Sequence, residues 1–250
     1  MNKNILLLTA TVTPPQDAAQ LQRVDPVLRM QDYAAALEFY LKQMKRGVLS
    51  SVVFSDNSNS DLKVLCELVE KYNLVGQVEF ISFDGLDYPP AYGRGFGEFK
   101  MVDYVMSNSR LIREAGLSAN VWKITGRYIL ENIEDVIRSK PPGAQFYCNC
   151  RNLPKYWIDL YVLCWNINYY EQFVRGAYLD LREDERRGSA EPAFRRRLES
   201  KINTLPIVKR FATVPLLQGY RGLDNKNYRE MGVKLLMRRL ALILMPWLWI

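Results

Sequence analysis

Trp122-Lys-Ile-Thr-Gly-Arg-Tyr128 is the stretch on which the fold turns. Upstream of its centre, Asn120 to Ile124 has the look of a short strand; downstream, Ile129, Leu130, Ile133, Val136 and Ile137 recur at helical spacing. The pattern predicts a strand that hands over to a helix near Thr125, with Thr125 as N-cap and Gly126 letting the backbone pass close to a ligand. A helix start offers unpaired N–H groups and the positive end of a dipole, and Lys123 and Arg127 add full charges beside it. Such a place suits a phosphate or diphosphate. The plainer alternative is a capped surface helix with solvated charges.

Working outward, Asn4 to Thr11 (NILLLTAT) is a continuous apolar run of the kind a buried parallel strand carries, and its carboxyl end, Thr9-Ala10, should face a binding crevice. Asp25-Pro26 is an N-cap followed by Pro at the first helical position, and Met30, Tyr33, Ala34, Leu37, Leu41 and Met44 mark one apolar face up to Gly47. Leu49 to Phe54 reads as a second strand. Asp56 and Asn57 just beyond it stand where nucleoside-binding groups are usual, although turn chemistry explains them equally well. Asp61 is expected to cap the next helix, and Gln77 to Phe83 is a third strand. Tyr92-Gly-Arg-Gly-Phe-Gly-Glu98 reads as a glycine-rich loop able to wrap a ligand through Gly95 and Gly97, or as a plain surface loop; no Walker lysine follows.

Beyond Pro141-Pro-Gly143, Gln145 to Cys150 reads as one strand that places Asn149 and Arg151 near the same crevice, and Asp159 to Trp165 as another. Tyr178 to Arg187 and Arg195 to Arg197 are charge-dense, which is the usual look of a solvated face. Lys234 to Ile250 is different: a basic start, a greasy continuation far short of the roughly 20 residues that span a bilayer, and terminal Trp247 and Trp249. It fits a helix lying in a membrane interface with Arg238 and Arg239 on anionic head groups, or a helix packed on the domain or a partner.

The chain of 250 residues is 48% hydrophobic, enough for a sizeable core, and strand-like runs alternate with helical ones as in an α/β sheet. Its formal charge of +7 points to an anionic partner. With no histidine, His-based triads, His bases and most catalytic zinc sites are excluded, so proton transfer falls to carboxylates, Tyr, Lys or Cys. Cys66, Cys148, Cys150 and Cys164 lack zinc-ribbon spacing and read as free thiols in a reducing compartment. The short run Ile5 to Leu8 is no signal peptide, so a cytoplasmic location is expected.

Taken in order, Asp25-Pro26 with Arg29 and Asp32-Tyr33, Asp56-Asn57-Ser58, Gly93-x-Gly95-x-Gly97-Glu98, and Lys123-x-Thr-Gly-Arg-Tyr128 with Asn132 resemble bacterial surface-polysaccharide glycosyltransferases that build O-antigen or capsule. The resemblance covers about residues 4 to 220. It implies a single GT-A-like (Rossmann-like) α/β domain over residues 1–230, with a mostly parallel sheet flanked by helices; the basic amphipathic helix over 231–250 is read from its own residues. It implies transfer from a nucleotide-sugar donor, such as UDP-galactose, to a lipid-linked saccharide acceptor at the cytoplasmic face of the inner membrane. Nucleic acid is not expected as a partner.

On this reading Thr9, Ala10, Arg29, Asp56, Asn57, Gly95, Gly97, Lys123, Thr125, Gly126, Arg127, Tyr128, Asn149 and Arg151 contact the donor, and Glu191 and Glu98 are the candidate bases, with Asp180 behind them. Enzymes of this type usually hold Mn2+ or Mg2+ through Asp-x-Asp. This sequence has no clean copy, and Asn149-Cys150-Arg151 stands where an acid is expected, so Lys123, Arg127 and Arg151 are assigned the leaving diphosphate. A catalytically silent membrane-docked subunit and a basic nucleic-acid-binding protein are the alternatives.

Overall fold

A computed structural model describes residues 3–15, 21–184, 188–202, 204–228 and 232–245; the expectations for Trp247, Trp249 and the Arg186-Arg187 end of the charge-dense run lie outside these residues. The first strand, β1 (Asn4–Ala10), is buried along its length and lies near the middle of a seven-stranded sheet. Helix α1 (Pro26–Lys45) follows, capped as expected by the Asp25 carboxylate accepting from the Val27 N–H at 2.8 Å. Then come β2 (Ser51–Asp56), α2 (Lys63–Lys71), β3 (Val78–Ser82), α3 (Gly93–Asn108), α4 (Arg110–Ala115) and β4 (Asn120–Thr125). Asp61 accepts from the Lys63 N–H at 2.8 Å at the start of α2.

The later elements are shorter: β5 (Ile129–Leu130), α5 (Ile133–Arg138), β6 (Phe146–Tyr147), β7 (Cys150–Arg151), β8 (Trp157–Ile158), β9 (Val162–Asn166), α6 (Tyr170–Phe173), α7 (Ala190–Glu199), β10 (Ile207–Val208), β11 (Leu217–Gln218) and α8 (Val233–Leu244). The main sheet runs β10-β6-β9-β4-β1-β2-β3. Strands β1, β2, β3 and β4 are mutually parallel, as are β6 and β10; only β9 runs against its neighbours β4 and β6. The expected α/β class with a mostly parallel sheet between helical layers is therefore the one observed.

Strand alternation divides the core in two. Leu6, Leu8, Trp122 and Ile124 pack on one face with Tyr33, Leu37 and Leu41 of α1. Ile5, Leu7, Val121 and Leu163 pack on the other with Phe99 and Val102 of α3 and Phe194 of α7. Lys123 shares the second face with Val121, beneath α3, which decides its role below.

Two expectations are corrected. No helix begins at Thr125: β4 continues through it, Gly126 to Tyr128 turn, and β5 pairs antiparallel with β11, so the helix starts only at Ile133. The expected strand Gln145–Cys150 is instead two strands in different sheets, β6 in the main sheet and β7 paired with β8.

Candidate functional site

Because β1, β2, β4 and β6 point the same way, their carboxyl ends bring Thr9, Asp56, Thr125 and Asn149 to one edge of the sheet. Thr9 and Thr125 are register partners there, and the Gly126 N–H donates to the Thr9 carbonyl at 2.8 Å. A Cβ on Gly126 would lie 2.9 Å from that carbonyl oxygen, so glycine is required by the crossing of β1 and the turn.

Glu98 projects from α3 onto this pair of threonines. Its Oε1 accepts from Thr9 Oγ1 at 2.7 Å and Thr125 Oγ1 at 3.0 Å, and lies 2.5 Å from Nζ of Lys123. Lys123 is wholly buried and also donates to the Leu160 carbonyl at 2.7 Å. Burial disfavours charge on Glu98, but the Lys123 ammonium and the two hydroxyls outweigh it and hold the carboxyl below the ordinary range. Burial likewise lowers the Lys123 pKa, with Glu98 opposing. Lys123 is thus no solvent-facing phosphate ligand at a helix start; it is the buried half of an ion pair in the floor of the site.

Arg127 stands above that floor. It is half-buried, donates through Nε to the Tyr220 carbonyl at 3.1 Å, and lies over the Tyr128 ring. Burial works against its charge, but Tyr128, Tyr33 and Glu98 more than compensate, so it stays cationic. The Lys123 ammonium feels both Arg127 and, on α7, Glu191. Glu191 is pushed above the ordinary carboxylate range by burial, and neighbouring Glu183 adds to this while Arg94 opposes it. Glu183 is raised by burial too. The two carboxylates chosen from the sequence, Glu98 and Glu191, are therefore displaced in opposite directions from the ordinary value.

Other sequence-predicted residues have protein partners. Asp56 is fully buried, and its carboxylate accepts from the Val12, Ser58 and Ser60 N–H groups, so turn chemistry accounts for it. Asn57 accepts from Thr11 Oγ1 at 2.7 Å. Arg29 is buried and holds the Thr11 carbonyl at 2.7 Å and the Arg23 carbonyl at 2.9 Å, shaping the loop after β1. Asn149 and Arg151 both donate to Asp159, at 2.7 and 2.8 Å, so Arg151 enters the site with its charge already countered. Asp180 pairs with Arg197 at 2.6 Å.

The glycine-rich segment is also corrected: Gly93 to Gly97 form the first turns of α3 and wrap nothing. A Cβ on Gly95 would lie 2.3 Å from that of Ala190, and one on Gly97 would lie 1.8 Å from the Tyr88 hydroxyl. These glycines admit α7 and Tyr88 against α3.

Sequence reasoning missed Asp159 and the tyrosine wall. Tyr128, Tyr228 and Tyr161 meet edge to face at 5.2 and 5.7 Å, joining Arg127 at one end to Arg151, which donates to Tyr161, at the other. An acid bounding the apolar run after Arg151 was the available signal for Asp159; nothing local announced Tyr228. A cavity of about 480 Å³ lies at the opposite edge, near Ser118 and Asn166, but its lysine, Lys140, is spent on the Ala144 carbonyl. The groups able to do chemistry converge at the carboxyl edge.

No protein-family model and no curated protein matches this sequence. Among solved structures, the chain is similar to a protein assigned as a nucleotide-diphospho-sugar transferase from Desulfovibrio desulfuricans G20, with 14% identity over 99% of both chains and a TM-score of 0.43. It is similar to the apo-form glycosyltransferase GlyE of Streptococcus pneumoniae TIGR4, with 9% identity, 83% of this chain, 45% of that chain and a TM-score of 0.47. It is also similar to the galactosyltransferase LgtC, solved with donor and acceptor sugar analogs, with 10% identity, 78% of this chain, 70% of that chain and a TM-score of 0.44. Likeness at this level carries no argument about chemistry, which has to come from the side chains themselves.

The sequence resemblance implies a divalent metal at this edge. Asp56, Asp159 and Glu98 are each engaged by protein donors, and among the described residues no three His, Cys, Asp or Glu side chains converge on one point. Among the described residues, Arg127 is a cation at this edge that is not paired with a carboxylate in the site, and its guanidinium donates to the Tyr220 carbonyl.

Proposed function

We propose that this edge binds the diphosphate of a nucleotide-activated sugar and that the chain is a glycosyltransferase. The donor in this proposal is a UDP-hexose such as UDP-galactose, and the acceptor a saccharide, lipid-linked, in O-antigen or capsule synthesis at the cytoplasmic face of the inner membrane. The observation that carries the chemistry is the convergence at the carboxyl ends of β1 and β4, where the Glu98 carboxylate lies 2.5 Å from the buried Lys123 ammonium and accepts from Thr9 and Thr125, with Arg127 following β4 in the next turn.

Written for an inverting course, the acceptor oxygen forms the new bond at the anomeric carbon and Glu191 takes its proton. The bond from that carbon to the diphosphate breaks, and the leaving group departs with the electron pair. Arg127 stabilises the growing negative charge at the rim, and Lys123 holds the Glu98 carboxylate beneath it. Glu98 keeps Lys123 charged and in place. The tyrosine wall offers apolar faces for a sugar or base.

The test is release of UDP from UDP-hexoses, with and without a lipid-linked saccharide, by purified protein and by Arg127→Ala. Acceptor-dependent release that the substitution abolishes supports the proposal. Neither transfer nor donor hydrolysis from any nucleotide sugar contradicts it and favours the catalytically silent alternative.

A further inference from the structure

Helix α8 turns its broad apolar side away from the domain. Arg238 and Ala241 are buried on the side where the helix, with Leu242, meets Phe211, Val214 and Pro215. At 100° per residue, Ile243, Leu236, Leu240, Leu244 and Met237 form one continuous arc of roughly 120° on another side. All five are 45–73% exposed, although each is a large apolar side chain. Arg239, also exposed, borders the arc beside Ile243.

From the arc and its charge we infer that α8 is a docking face for an anionic lipid bilayer, independently of what the carboxyl edge of the sheet catalyses. Charge selects the occupant. No Asp or Glu occurs from Met231 to Ile250, Arg239 flanks the arc, and the whole chain carries +7. A second copy seated on the same face would bring like charges together, whereas acidic head groups complement them. Length selects the mode: the helix has 12 residues, and among the described residues no helix is long and apolar enough to cross a membrane. It therefore lies in the interface plane with its arc in the acyl boundary. The helix packs beside Asn149 and Arg210, which follow the carboxyl ends of β6 and β10, so docking holds the carboxyl edge of the sheet toward the bilayer.

The test is co-sedimentation of the full chain with vesicles of phosphatidylcholine alone or mixed equally with phosphatidylglycerol. The protein is expected on the mixed vesicles and to be released by salt. Leu236→Gln, Leu240→Gln and Ile243→Gln together replace exposed side chains with a good helix former, and should cut partitioning by about tenfold or more with the melt unchanged. Arg239→Glu, a single exposed change, should weaken binding at low salt even if the triple variant folds poorly. Equal partitioning onto both vesicle types, no partitioning, binding indifferent to these substitutions, or a wild-type dimer abolished by the triple variant would each overturn the inference.

Discussion

Nζ of Lys123 lies 2.5 Å from Oε1 of Glu98, and the same oxygen accepts from Thr9 and Thr125, so one carboxylate ties α3 to the ends of β1 and β4. Breaking such a pair leaves a buried charge without a partner, at a cost of about 3–5 kcal/mol. Glu98→Gln should therefore lower the thermal midpoint by roughly 10 °C, on the scale for a chain of this size. Replacing both partners, Glu98→Leu with Lys123→Met, should recover most of that loss while leaving transfer abolished. Differential scanning calorimetry on Glu98→Gln, Glu98→Leu, Lys123→Met and the double variant checks this; full additivity of the two single losses in the double variant would show that the two groups do not interact.

The same pair gives a pH dependence with a definite sign. Glu98 is held below its unfolded value of about 4.3, so its contribution is present above that pH and disappears as pH falls through the folded value. Glu98→Gln should flatten the acid limb of the stability curve.

Glu191 is displaced the other way. Its contribution is present below the unfolded value and is lost as pH rises through the raised folded value, so Glu191→Gln should melt higher than the wild type at neutral pH. As the base, Glu191 must be ionised, so kcat/KM should rise with pH through that raised value, and Glu191→Gln should lose this limb together with about 10²–10⁴ of the rate. A variant that keeps both would remove Glu191 from the chemistry.

Gly95 is set by Ala190, whose Cβ stands 2.3 Å from where a Gly95 side chain would begin. Gly95→Ala should destabilise by about 1–3 kcal/mol, as overpacking does, and Ala190→Gly should restore part of the loss. Urea titration of the single and double variants reads this directly. Failure of the second change to help would return Gly95 to the role of a ligand contact.

Much of the fold was legible because its signals are local. The apolar run of β1, the Asp25-Pro26 cap and the alternation of β3 each lie within a few residues of sequence. The helix expected at Thr125 failed because Ile129 and Leu130, which fit helical spacing, are claimed by Gln218 and Leu217 far along the chain. Lys123 looked like a surface cation because its partner arrives from α3, and the glycines ahead of Glu98 looked like a loop because the helix they admit, α7, comes much later. Glu98 and Glu191 are selected for want of histidine, and the fold brings Glu98 to Lys123. Asp159, Glu183 and Tyr228 depend on contacts that no local pattern carries.

The central claim is that protein cations at the end of β4, rather than a bound metal, receive the diphosphate. It is tested most directly by calorimetric titration of UDP and UDP-hexoses into the full chain in excess EDTA, repeated with Arg127→Ala and Arg127→Lys. Binding should persist in EDTA, weaken by about tenfold or more in Arg127→Ala, as loss of a charge-assisted hydrogen bond does, and recover in part with lysine. Binding that appears only when Mn2+ is restored, or that ignores Arg127, would contradict the account.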